Sequence, residues 1–150
     1  MSQNNVLVRI QKGVDLLISK NGSEYTAELI EAIAIQTNSN NHNYFNAIAD
    51  LIILNVVKTF NINYKLLSSG ASENYKDARK CCFYLLNKHC KMSEVKIKKF
   101  IPNYTKTTGA INASIKNMKS IMELPRINKE LEKKCIQIEN KILEFKTINK

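Results

Sequence analysis

Ten side chains between residues 79 and 116 can do chemistry together, and that chemistry is recognition of a polyanion. Arg79, Lys80, Lys91, Lys96 and Lys106, with Ser93, are suited to donate hydrogen bonds to phosphate oxygens. Thr107, Thr108, Asn112 and Lys116 follow closely, and these residue types suit positions in or beside a major groove, where hydroxyl, carboxamide and ammonium groups meet base edges and backbone. The serine and threonines have a second use as helix N-caps. Bond-making chemistry has no comparable set. His42 and His89 stand far apart, carboxylates are not clustered, and Cys81, Cys82, Cys90 and Cys135 include no CxxC pair or zinc-ligand spacing. No enzyme activity, metal or cofactor is expected.

Three amphipathic patterns position those residues. In 78–88, Cys81, Cys82, Leu85 and Leu86 lie at helical spacing with Arg79, Lys80 and Lys88 off the stripe. Ser93 then caps a short helix in which Val95, Ile97, Phe100 and Ile101 supply the buried contacts, and Pro102 ends it. After the polar turn Asn103-Tyr104-Thr105-Lys106, Thr107 or Thr108 caps a third helix with Ile111, Ile115, Met118 and Ile121 inward. Asn112, Ser114, Lys116 and Asn117 then face outward. A short helix followed by a capped helix with an acid-free outer side suits a helix-turn-helix, whose second helix enters a groove about 12 Å wide. The same pattern also suits an ordinary three-helix packing unit with solvated lysines.

Charge is distributed unevenly. The 150 residues carry a net charge of +10, yet the first 75 hold five Lys and Arg against six Asp and Glu, and the last 75 hold eighteen against seven. The basicity thus begins where the helical triplet begins, which favours nucleic acid as the polyanion. The lysines are not laid along one long helix opposite Trp or Phe, as a membrane-surface helix requires. No apolar run approaches the ~18 residues of a membrane span, so no membrane partner is expected and the chain is read as cytoplasmic and nucleoid-associated.

The remainder reads as helical support in an all-α bundle, with an N-terminal helical segment (1–43) and a C-terminal domain (44–150). Val6, Leu7, Ile10, Val14, Leu17 and Ile18 form one stripe, and Asn21-Gly22 ends it. Ser23 begins a second helix with Leu29, Ile30, Ile33 and Ala34 on its apolar face. A polar loop over 37–43 follows, then a central packing helix over 44–60. A last helix over 129–145, capped by Asn128, carries a seam of Leu131, Cys135, Ile138, Ile142 and Phe145 that packs on its own domain or on a partner copy. Cys81, Cys82 and Cys135 read as small core residues.

The order and spacing of Leu66-Leu67, Ala78-Arg79, Tyr84-Leu85-Leu86, Met92-Ser93, Ile97, Ile101 and Thr107-Thr108 resemble the C-terminal DNA-binding domain of the bacterial replication initiator DnaA. The resemblance covers roughly residues 52–145. It implies an all-helical domain with a helix-turn-helix related to the Trp repressor, binding of double-stranded DNA, and a DNA-contacting role for Arg79 and the Thr107-Thr108 pair. Without a GxxxxGK[ST] motif, nucleotide-driven initiation is excluded for this chain alone. The function expected is therefore a double-stranded DNA-binding protein, a replication or transcription regulator of DnaA-like type. The alternative is an adaptor with a degenerate helix-turn-helix, which binds a protein through its N-terminal helices or its C-terminal helix.

Overall fold

A computed structural model of the chain describes residues 3–37, 47–124 and 126–148. Among them every regular element is helical: α1 (Gln3–Asn21), α2 (Ser23–Thr37), α3 (Ala47–Phe60), a single 3-10 turn (Tyr64–Leu66), α4 (Glu73–Cys90), α5 (Glu94–Phe100), α6 (Thr108–Glu123) and α7 (Lys129–Ile148). The protein is an all-α helical bundle. The expected loop over 38–43, the expected helix start at 44–46, and Pro125 lie outside the described residues. Contacts divide the chain into two compact units, Met1–Asn43 and Tyr44–Lys150.

In the first unit, Gly22 takes the left-handed backbone (φ 84°) that glycine adopts at low cost, and its amide donates to the Ile18 carbonyl at 2.8 Å. The Thr26 hydroxyl donates to the Gly22 carbonyl at 2.9 Å, so the reversal between α1 and α2 is closed from both sides. Little of the expected α1 stripe is covered. Val14 and Leu17 are half-buried, whereas Val6, Leu7, Ile10 and Ile18 are exposed. On α2, Leu29 is half-buried and Ile30 exposed, and the side chains of Ile33 and Ala34 lie outside those described.

The second unit is organised around α4 rather than the helix that precedes it. Ala78, Cys81, Cys82, Phe83, Leu85 and Leu86 are all buried, and α3, α5, α6 and α7 each pack on this helix. Two adjacent stripes, 78-82-85 and 79-83-86, are what let one helix touch so many neighbours. It begins earlier than its apolar spacing predicts. The Ser72 hydroxyl accepts from the Tyr75 amide, and the polar first turn from Glu73 carries no apolar period to read. Burial pushes the Cys81 and Cys82 thiols well above their ordinary range and Cys90 up to about 11, so these three are neutral thiols at pH 7. On α7, Leu131, Cys135, Ile138 and Ile142 are buried among α3, α4 and α6. The seam is consumed within its own unit.

An ion network ties the end of α4 to α7. Lys88 Nζ and His89 Nε2 both lie 2.7 Å from Glu139 Oε1, and Lys146 Nζ lies 3.2 Å from His89 Nδ1. A lysine can only donate, so Nδ1 accepts and the Nε2 proton goes to Glu139. Burial by itself would raise the Glu139 carboxyl, but hydrogen bonds from Lys88 and His89 outweigh it and hold the group below its ordinary value. The His89 ring is largely enclosed by these contacts, its side chain 8% exposed.

One core group works against the fold at neutral pH. Asp50 is buried on α3, its Oδ1 has no hydrogen-bond partner among the described residues, and burial pushes its carboxyl up to about 6. The folded state therefore holds this proton more tightly than the unfolded chain, and stability falls as pH rises from about 4 through 6. Asp50→Asn should remove that slope and raise stability at pH 7.5 by about 1–2 kcal/mol. Thermal unfolding of both proteins at pH 3.5 and 7.5 checks it: the variant's gain should be confined to the higher pH, with an intermediate gain at pH 5.

Candidate nucleic-acid interface

Helices α5 and α6 and the connection between them hold most of the residues with recognition chemistry. Ser93 caps α5, its hydroxyl accepting from the Lys96 amide at 3.4 Å. The helix is short because it buries little: Ile97 within it and Ile101 just past its end. Val95, expected inside, lies on the exposed side with Lys96 and Lys99.

The connection over 101–107 is anchored rather than loose. Asn103 adopts a left-handed backbone (φ 58°), which asparagine tolerates better than most residues. Tyr104 then turns inward, and its ring meets Phe83 of α4 edge-on at 5.4 Å and 81°. That contact fixes where α6 begins. Thr107 is the cap, accepting from the Ala110 amide at 3.2 Å, and the first turn of α6 contains no carboxylate.

Ile111, Met118 and Ile121 bury one side of α6, with Ile115 half-buried beside them. The opposite side is open to solvent along Gly109, Ala113, Lys116, Asn117 and Ser120. Thr108 and Asn112 sit half-buried at its margin. Ser114 departs from the outward position expected of it, because its hydroxyl donates to the Ala110 carbonyl at 3.0 Å. No acid occurs between Thr108 and Met122; Glu123 ends the helix, 4.0 Å from Lys119.

The candidate cations separate into two groups. Lys91, in the left-handed position that closes α4, and Lys96, Lys106 and Lys116 are exposed and form no ion pair among the described residues. The same holds for Lys98, half-buried, and Lys99, exposed, two lysines that a search for capped groove-facing positions passes over. The second group is already engaged. Lys80 Nζ lies 3.2 Å from Asp77 Oδ1. Arg79 requires a correction: it is buried, and its guanidinium donates to the carbonyls of Leu67 at 3.0 Å and Gly70 at 2.8 Å. Those carbonyls lie in the segment between the 3-10 turn and α4, where secondary structure supplies no partner, so the guanidinium fastens this segment and cannot also reach phosphate. Burial pulls its pKa below the ordinary value, with Tyr104 acting in the opposite sense.

Set against models of protein families, curated proteins and solved structures, the chain matches none. The functional reading therefore rests on the residues themselves. Among the described residues no group of three or more His, Cys, Asp or Glu is placed to hold a metal ion, and no helix is long and apolar enough to cross a membrane. What α5, the connection and α6 can do chemically is present a line of ammonium, hydroxyl and carboxamide donors whose acids are confined to Glu94 at the start of α5 and Glu123 at the end of α6.

Proposed function

We propose that the chain is a double-stranded DNA-binding protein that uses α5, the connection and α6 as a basic helix-turn-helix of the DnaA-like kind. The observation that carries this reading is the open side of α6. It is free of carboxylate from its cap to Met122, and Lys91, Lys96, Lys98, Lys99 and Lys106 precede it without ion-pair partners among the described residues. The positive end of the helix dipole at Thr107 favours an approaching phosphate, and no first-turn acid blocks it. Gly109 and Ala113 keep the leading part of the open side low, which allows backbone-close approach, with Thr108, Asn112 and Lys116 beside them. A role as a replication or transcription regulator follows from such binding.

A second reading, an adaptor built on a degenerate helix-turn-helix, is favoured by one observation. The connection spans 101–107, longer than the three to four residues usual in that motif.

Titration against duplex DNA at two salt concentrations separates the readings. Direct contact by about five side chains gives a log–log slope of roughly −4 to −5, because each neutralised phosphate releases counterions. Absence of binding at low salt, or a flat response, would overturn the DNA reading in favour of the adaptor.

A further inference from the structure

The first unit leaves an apolar helix face uncovered, and we infer that it is a self-association surface occupied by the same unit of a second copy of this chain. Of the eight aliphatic side chains on α1, only Val14 and Leu17 are half-buried. Val6, Leu7, Val8, Ile10, Leu16 and Ile18 are 38% to 63% exposed, and Ile30 on α2 is 44% exposed. Single exposed aliphatics are ordinary on a protein surface, and at helical spacing Val8 and Leu16 point away from the others; Val6, Leu7, Ile10 and Ile18 fall on one side of the 19-residue helix and form a contiguous apolar patch there.

Charge complementarity selects a second copy. The exposed parts of Val6, Leu7, Ile10, Ile18 and Ile30 amount to on the order of 400 Å² per copy, about half of the ~800 Å² each partner contributes to a standard interface, so the charged flanks must supply the rest of the contact. The charges on the two helices are complementary rather than alike. α1 carries Arg9, Lys12 and Lys20 against Asp15, whereas α2 carries Glu24, Glu28 and Glu31 and no lysine or arginine. In a two-fold pair every contact occurs twice, so α1 of each copy lies along α2 of the other and both cation–carboxylate pairings are made. Two helical hairpins joined this way form a four-helix bundle with the aliphatic residues inside. An unrelated partner would have to supply both the apolar stripe and an acidic flank; this chain already contains them. The inference does not depend on DNA binding.

Sedimentation equilibrium of the full chain tests it. Twice the 17.1 kDa chain mass is expected at micromolar concentration. Leu7→Glu combined with Ile10→Glu should raise the dimer dissociation constant at least about 100-fold with helical content unchanged, since both residues are already in solvent in the single chain. A charge reversal supplies the second test: Arg9→Glu with Lys12→Glu should weaken the dimer, and adding Glu24→Lys with Glu31→Lys should restore it. A single-chain mass for the natural sequence up to about 100 μM, a dimer that survives the Leu7 and Ile10 changes, or failure of the reversed charges to rescue each overturns the proposal.

Discussion

Exchanging Lys106 and Lys116 together for glutamate should weaken duplex DNA binding at least about 100-fold near 100 mM salt and make the salt dependence shallower by about two in slope. Both lysines are exposed, and neither forms an ion pair among the described residues. Their replacement should therefore leave unfolding within about 0.5 kcal/mol of the parent. The size of the effect comes from two sources. Two counterion-releasing contacts are lost, and two carboxylates are placed beside a helix that otherwise offers an anion no repulsion along its open side. A matched control separates local contact from net charge. Lys129→Glu with Lys133→Glu, on exposed positions of α7, changes the chain's charge by the same amount. It should cost far less, because a charge that makes no contact with the nucleic acid acts only through a field that salt screens over about 10 Å. Equal losses from the two pairs would mean that a diffuse field, not α6, holds the nucleic acid. Intact affinity after the Lys106 and Lys116 changes would remove α6 from the interface.

The elements of this chain were legible wherever one local interaction decides them. Ser93, Thr107 and Asn128 each stand just before an apolar period and each caps a helix, accepting from an amide three residues on. Ile111, Met118 and Ile121 read inward from spacing and are inward. Features set by tertiary contact were not legible. Tyr104 sits among polar turn residues, and only its packing on Phe83 shows that it anchors the connection. Ser114 and Val95 departed from their expected sides because a helix of a few turns leaves their angles near the boundary between inside and outside. Side-chain length and a back-bond decided the outcome. The exposed stripe of α1 shows the converse: its periodicity read as one apolar helical stripe, yet periodicity records that a face is apolar and not what covers it. Among the cations, residue type alone cannot distinguish a charge offered to solvent from one spent on the fold, since that depends on carbonyls more than eight residues away in sequence.

Arg79 makes that last distinction measurable. Arg79→Leu should cost the second unit about 2–4 kcal/mol, because it leaves the Leu67 and Gly70 carbonyls without their donor in a segment that has no ladder or helix to receive them. The guanidinium stays charged at neutral pH even with its pKa pulled down by burial, so the two lost hydrogen bonds are charge-assisted and lie at the strong end of their range. For a cooperative unit of this size the melting temperature should fall by roughly 10–20 °C. Arg79→Lys should fall between the two, since an ammonium keeps the charge but loses the planar fork. Duplex affinity per folded molecule, measured well below the lowered melting temperature, should change less than about twofold, because a side chain held inside the fold has nothing left to offer phosphate. The DnaA resemblance implies the reverse at this position: unchanged melting and lost binding. The two outcomes are mutually exclusive, so one variant decides whether this arginine serves DNA or the fold. If it serves the fold, the proposed phosphate binding falls wholly on the unpaired lysines of α5, the connection and α6. A chain that binds through those lysines alone should be strongly salt-sensitive and only weakly selective for sequence.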